Sequence, residues 1–344
     1  MKLLEVNNLQ FSFKTYAGEV QAVRDVSFSL EDGEALGIVG ESGCGKSVTA
    51  KSIVKLNPQT NGRYLGGSIY FSGIDILKLK ESEIQKICAK DIRMIFQDPM
   101  TSLNPTMKVG NQIMEGLRIA YPQMKRDAMR KKVLDILYQT GIPNVSERFH
   151  QYPHQFSGGM RQRAMIALAM VVEPKLLICD EPTTALDVTI QAQILELIKA
   201  QQAQRKTGII FITHDLGVVA NIAQNIVVMY AGKIVEYGSA RDIFYRCLHP
   251  YTWGILQSIP PKDADIEKKL VPIKGTPPDL LQPPKGCPFT DRCPYAMKIC
   301  KLTAPTYYQT ENNHKVACWR YHPSAPKIIS PITKEEAQLC PPRF

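Results

Sequence analysis

The stretch GESGCGKS, Gly40-Glu41-Ser42-Gly43-Cys44-Gly45-Lys46-Ser47, constrains this chain more than any other. It matches G-x-x-x-x-G-K-[ST], follows the apolar run EALGIVG (34–40) and opens the helical pattern KSVTAKSIVKL. A strand, a tight turn and a helix are therefore expected in succession. The glycines let the backbone close around an anion, while the loop N–H groups and the helix N-terminus, through Val48, point at it. Lys46 supplies a cation for β- and γ-phosphates, and Ser47 a hydroxyl for Mg²⁺. The expected ligand is a nucleoside triphosphate with its magnesium ion.

Around this loop, apolar runs alternate with helical patterns. KLLICDE (175–181), GIIFITHD (208–215) and NIVVMYAGKIVEYG (225–238) read as strands. VTIQAQILELIKA (188–200) reads as a helix with Ile190, Ile194, Leu197 and Ile198 on one face. Such alternation predicts an α/β domain with a largely parallel sheet. LQFSF and AVRDVSFSL near the start look instead like antiparallel strands, and residues 107–156 read as a mainly helical insertion. Of the 24 prolines, 16 lie from Pro250 onward, which marks a boundary near 240–250 and a loop-rich region behind it.

The 344 residues suffice for one large domain and a smaller one. No apolar run approaches the roughly 18–20 residues of a membrane helix. The start MKLLEVNNLQFSF lacks the pattern of a secretory signal, so the cytoplasm is the expected compartment. A formal net charge of +10 suits nucleotide, nucleic acid or an anionic membrane face. No aromatic RNA-binding pattern accompanies it, so nucleic acid is not an expected partner. The densest basic stretch, KRDAMRKKVL (125–134), has helical spacing and reads as a solvated face.

LLICDE (176–181) is an apolar strand ending in two carboxylates. Behind a phosphate loop, Asp180 is placed to hold Mg²⁺ and Glu181 to polarise an attacking water. In FSGGMRQR (156–163), Ser157, Gly158 and Gly159 open a helix and can form a second phosphate cradle. That motif resembles the signature of ATP-binding cassette (ABC) ATPases, with Phe156 and Met160 at the variable ends of the Leu-Ser-Gly-Gly-Gln pattern. Further landmarks fall in family order. Gln97 in IFQDP matches the Q-loop glutamine, Ala185, Leu186 and Asp187 the D-loop, and His214 in ITHD the switch histidine. Tyr16 sits where the family places an aromatic that stacks on adenine, with Phe13 as the alternative.

The resemblance implies a P-loop cassette with a RecA-like core, an antiparallel β subdomain and a helical subdomain at about 100–160. It implies ATP hydrolysis with Glu181, His214 and Gln97 as catalytic residues, Mg²⁺ at Ser47, Gln97 and Asp180, and ATP along Gly40–Val48. Ser157 to Met160 would meet a nucleotide held by a second cassette. About 110 residues separate Lys46 from Ser157, too few for the coiled coil of DNA-repair heads. A single cassette does not fit the two-cassette soluble ATPases of translation. IFQDPMTSLNP (95–105), HPYTWGILQSIP (249–260) and IKGTPPDLLQPPKGCPF (273–289) resemble the peptide/nickel importer ATPases. This implies domains at 1–245 and 246–322 and a tail at 323–344. It also implies a second ATPase, homologous or identical, two transmembrane permeases and an extracytoplasmic binding protein. The location would be peripheral, on the cytoplasmic side of the cell membrane, with peptides, nickel chelates or other small solutes as cargo.

Four cysteines, Cys287, Cys293, Cys300 and Cys318, are spaced C-x5-C-x6-C-x17-C. A full set of thiolates suits zinc or an iron–sulfur cluster, and the spacing leaves both open. The family resemblance implies a C-terminal [4Fe-4S] site, with zinc as the alternative. Cys44, at a helix N-terminus, is either a thiol of lowered pKa or a residue turned away at a free position of the loop.

Overall fold

Apolar runs without alternation need a sheet covered on both faces, and the strands of this chain that lack alternation are buried throughout. The computed structural model describes residues 2–183, 186–258, 272–310, 313–326, 328 and 330. Two long strands come first, β1 (Lys2–Thr15) and β2 (Gly18–Glu31). The two-residue connection Tyr16-Ala17 makes them an antiparallel hairpin. β3 (Ala35–Val39) leads through the glycine-rich loop into α1 (Lys46–Ile53). β4 (Gly62–Phe71), β5 (Ile74–Asp75), α2 (Glu81–Lys90) and β6 (Ile92–Ile95) follow. Glu83 reaches back to accept the Lys80 N–H at 2.8 Å and so closes the first turn of α2.

A helical stretch comes next. α3 (Pro99–Ser102) begins where the Asp98 carboxylate accepts the Met100 N–H, with proline in the first turn where no N–H is needed. α4 (Val109–Ala120), α5 (Arg126–Gln139), α6 (Val145–Arg148) and α7 (Gly158–Met170) complete it. On α5 only Met129, Val133, Ile136 and Leu137 are buried, a helical spacing that leaves Arg126, Arg130 and Lys131 in water. The chain then alternates through β7 (Leu176–Asp180), α8 (Val188–Arg205), β8 (Gly208–Ile212), α9 (Leu216–Ile222), β9 (Asn225–Tyr230) and β10 (Lys233–Ser239). α10 (Ala240–Tyr245), α11 (Pro250–Gln257), α12 (Lys298–Leu302), β11 (Tyr308–Gln309) and β12 (Lys315–Val316) end the described elements. No helix among the described residues is long and apolar enough to cross a membrane.

The chain forms two units. The first gathers residues up to Leu4, Ser29–Ala35 and Tyr70–Ile212. In it β8, β7 and β6 run parallel, with Cys179 in register with both Ile95 and Phe211. The Tyr121 hydroxyl donates to Val172 O at 2.7 Å and ties the end of α4 to the end of α7. The second unit gathers Glu5–Phe28, Leu36–Ile69 and the described residues from Thr213 on. There β3 pairs parallel with β9, β9 antiparallel with β10, β10 with β12, and β12 with β11. The run 225–238, expected as one strand, is a hairpin instead. Ala231 and Gly232 both have positive φ, 48° and 77°, the geometry of a two-residue type I′ turn.

The region beyond residue 245 belongs to the second unit and is held to its strands by backbone pairing and side chains. Gln21 N–H donates to Leu280 O at 3.0 Å, and Arg24 Nη2 to Pro284 O at 3.1 Å. At its centre lies Glu236 on β10, fully buried. Its carboxylate accepts the N–H groups of Leu248 and His249 at 2.6 and 3.0 Å and the Thr252 hydroxyl at 2.5 Å, and it contacts His314 Nε2 at 2.8 Å. Removing the carboxylate strands several buried polar groups at once, and such losses cost about 3–5 kcal/mol. We therefore expect Glu236→Ala to lower the thermal unfolding temperature markedly in calorimetry. Glu236→Gln, which can keep one acceptor oxygen, should lower it less.

Candidate functional site

The loop between β3 and α1 is shaped by its neighbours. Gly40 has φ 151° and Gly45 φ 100°, where a side chain is strained. A Cβ would also lie 2.2 Å from Met229 O at Gly40 and 2.4 Å from Ala22 O at Gly45. Ser42 and Gly43 are exposed at the tip, while Cys44, Gly45 and Lys46 are buried. Lys46 Nζ donates to Gly40 O at 2.7 Å and Glu41 O at 2.9 Å, so the loop closes on its own cation. Gly232 N–H donates to Cys44 O at 3.0 Å from the β9–β10 turn. Ser47 and Val48 lie in the first turn of α1. Tyr16 stands fully exposed at the tip of the β1–β2 hairpin, whereas Phe13 is half-buried against Phe11 at 5.0 Å.

Glu41 is fixed at three points. Its carbonyl accepts Lys46, its N–H donates to the Tyr251 hydroxyl at 2.8 Å, and its carboxylate meets Arg292 at 2.6 and 3.0 Å. Burial alone would depress the Arg292 guanidinium, but hydrogen bonds to Glu41 and Tyr230 outweigh it and raise its pKa above the ordinary value. Neither Arg292 nor Tyr251 was foreseen from the sequence. Both lie more than 200 positions from the loop, and no local pattern links them to it.

The first unit carries the carboxylates. β7 delivers the buried Asp180 at its end, and Glu181 follows with φ 48°. Its N–H donates to Ile212 O at 2.9 Å, which anchors this strained turn. Gln97 Nε2, just beyond β6, donates to Glu181 Oε2 at 3.1 Å, so these two residues meet as a pair. Ser157 caps α7 by accepting the Met160 N–H at 3.3 Å, and Gly158 and Gly159 form the first turn. From the same helix, Gln162 Nε2 donates to Pro182 O at 2.5 Å, directly after Glu181. Asp187 caps α8 through the Ile190 N–H at 2.9 Å, and Leu186 N–H donates to Thr183 O at 3.1 Å. Ala185 lies outside the described residues. His214 follows β8 along the chain but belongs to the second unit, next to Asp215, which caps α9. Ser47 lies in the second unit and Gln97 and Asp180 in the first, and each carries a side-chain oxygen, the donor type Mg²⁺ prefers.

Cys287, Cys293, Cys300 and Cys318 line one cavity in the second unit, with His249 and Arg320. Cys287 N–H donates to Cys300 O at 2.7 Å, and the Thr290 hydroxyl to both Cys287 O and Cys300 O. His249 Nε2 and the Nε and Nη1 of Arg320 are buried without partners. Burial pushes Cys293 up to about 11 and Cys318 up to about 12, and holds His249 down at about 3, hence neutral. Among the described residues no three histidine, cysteine or carboxylate groups gather closely enough to hold one ion. All the described cysteines are free thiols.

Cys44 is not the exposed thiol of lowered pKa that the helix N-terminus alone suggests. It is 4% exposed, and burial raises its pKa against the opposing pull of Lys46. Iodoacetamide near neutral pH should leave Cys44 of the native chain unmodified while labelling it fully after unfolding, as read by peptide mass spectrometry. Stoichiometric labelling of the native chain would contradict this burial.

The ABC transporter family model matches residues 23–184, and the model of the oligopeptide/dipeptide transporter C-terminal region matches 235–300. The chain is 55% identical to the oligopeptide transport ATP-binding protein OppD of Bacillus subtilis, over 96% of this chain and 92% of that protein. It is 54% identical to the dipeptide transport ATP-binding protein DppD of the same organism, over 92% and 94%. Among solved structures, the dimeric post-hydrolysis state of the ATP-binding cassette MJ0796 bound to ADP and Pi matches with TM-score 0.64 and 25% identity, over 69% of this chain and 98% of that one. With a P-loop cassette fold and an ATPase's motifs in place, the chain belongs to the ABC transporter ATP-binding proteins, in the group that carries the oligopeptide/dipeptide transporter C-terminal region.

Proposed function

We propose that this chain is the ATP-hydrolysing subunit of a membrane importer for di- or oligopeptides, with nickel or another small solute as the second reading. The observation that carries the peptide reading is the oligopeptide/dipeptide transporter C-terminal region at 235–300, behind the ABC transporter match at 23–184. Residues 1–245 form the nucleotide-binding domain in this reading, with its helical part near 100–160, and 246–322 the C-terminal domain. The segment 323–344, described only at 323–326, 328 and 330, has no assigned role.

The phosphates of ATP bind along Gly40–Val48, with Lys46 on the β/γ side and Tyr16 against the adenine. Ser47, Gln97 and Asp180 would hold Mg²⁺, which supplies charge neutralisation at the phosphates. Glu181 takes a proton from water as the water oxygen attacks the γ-phosphorus. The bond to the β-phosphate oxygen breaks, and ADP and phosphate leave. Gln97, hydrogen-bonded to Glu181, orients the carboxylate, and His214 stabilises the γ-phosphate. Ser157, Gly158, Gly159 and Met160 serve the nucleotide of a second ATPase, paralogous or identical, and the D-loop 185–187 lies along that dimer. Two permeases and an extracytoplasmic binding protein complete the importer, with this chain peripheral on the cytoplasmic face of the membrane.

In the same reading the four cysteines would hold a [4Fe-4S] cluster. Support comes from four thiols sharing one cavity with unpartnered donors on His249 and Arg320, which suit an anionic group. Zinc, which takes four thiolates in a tetrahedron, is the alternative occupant of the same set. When bound, the cluster would cross-link α12, through Cys300, to the segments that carry Cys287, Cys293 and Cys318. Protein purified without oxygen should be brown and carry about four iron and four sulfide per chain. Colourless protein with stoichiometric zinc would overturn the cluster.

For hydrolysis, Glu181→Gln should keep ATP binding and cut turnover by about 10²-fold or more. Lys46→Ala should weaken binding itself. Both are read on the complex purified from membranes with its permeases. Recovery of the chain in a soluble assembly without permeases would overturn the transport reading.

A further inference from the structure

The phosphate loop carries a carboxylate of its own. Glu41 is the second residue of a segment that has to embrace a polyphosphate, and an uncompensated negative charge there opposes binding. The compensation comes from the region beyond residue 245 of the same unit. Arg292 Nη1 and Nη2 pair with Glu41 Oε2 and Oε1 in a two-pronged ion pair. Its other donors go to the Tyr230 hydroxyl at 3.2 Å, Ile273 O at 3.3 Å and Lys274 O at 3.0 Å. A guanidinium has five N–H donors, and all are used here, so Arg292 has none left for a phosphate. Whatever it does for nucleotide binding it does through Glu41.

Arg292 is backed by packed aromatic rings. Phe289, 2% exposed, packs edge-on against Tyr230 at 5.2 Å and tilted against Tyr251 at 5.4 Å, and the two tyrosines lie 4.6 Å apart. The guanidinium sits over the Tyr230 and Phe289 rings at 5.8 and 5.9 Å. Tyr251 then accepts the Glu41 N–H, so both ends of the residue are held from one aromatic cluster.

We propose that Arg292 and Tyr251 are positioning residues of the nucleotide site, fixing Glu41 and cancelling its charge so that the loop accepts a polyphosphate. The proposal rests on the assignment of Gly40–Ser47 as the phosphate loop. The test uses the full chain with MgATP as titrant in calorimetry. Arg292→Ala should weaken MgATP about tenfold, equivalent to about 1.4 kcal/mol. Adding Glu41→Gln to Arg292→Ala should restore most of that loss although the ion pair is still missing, because the offending charge is gone. Arg292→Lys, which keeps charge but not the fork, should fall between, and serves if the alanine variant folds poorly. Tyr251→Phe should weaken MgATP by a smaller factor. Thermal unfolding is followed in parallel. A merely structural role would lower stability in both the single and the double variant and give no rescue of affinity. Unchanged affinity in Arg292→Ala, or a double variant as weak as the single one, overturns the proposal. Unchanged affinity in Lys46→Ala would instead overturn the phosphate-loop assignment beneath it.

Discussion

A backbone loop that must offer its N–H groups to a polyphosphate has no core of its own, so its shape has to come from what surrounds it. Met229 O and Ala22 O approach so closely at Gly40 and Gly45 that no side chain fits. Lys46 closes the loop from within, the β9–β10 turn holds Cys44 O, and Tyr251 with Arg292 holds Glu41. Each contact comes from a different stretch of chain, yet all belong to one unit. The region after residue 245 is therefore a wall of the phosphate loop as well as an appendage to the cassette.

Buried polar groups in that region fall into two kinds. Glu236 is fully hidden but surrounded by donors, which makes it a structural knot joining β10 to the start of α11 and to His314. His249 Nε2 and the Nε and Nη1 of Arg320 are hidden too, but stay unpartnered beside four thiols. Buried donors without acceptors are costly, so a cavity that retains them is suited to a ligand able to accept their hydrogen bonds. The loop between Cys287 and Cys293 carries Phe289, Thr290 and Arg292, so the residues that brace the cavity and those that reach Glu41 share one short segment.

Much of the site was legible because its chemistry is local. Glycines at a strand-to-helix turn, a lysine and serine at the helix start, paired carboxylates at a strand end and a serine with two glycines opening a helix are each defined within a few residues. The family resemblance assigned Gln97 and His214 by their order along the chain, whereas the hydrogen bond from Gln97 to Glu181 has no signature in the spacing. Where the local signal misled, a longer-range term had won. Apolar continuity read 225–238 as one strand, but positive φ at Ala231 and Gly232 folds it into a hairpin. At Cys44 the sequence left a thiol of lowered pKa and a residue turned away both open, and burial favours the second.

The sequence by itself determined the cassette, its chemistry and the four-cysteine set, since these follow from residue type and spacing along a few turns of chain. Only the tertiary structure decided that Arg292, 251 positions after Glu41, neutralises the one carboxylate of the phosphate loop, and that Tyr251 holds the same residue's N–H. An ion pair across that separation leaves no periodicity to read. It exists because the C-terminal region packs its aromatic cluster against the end of β9 and so carries a saturated guanidinium to the loop.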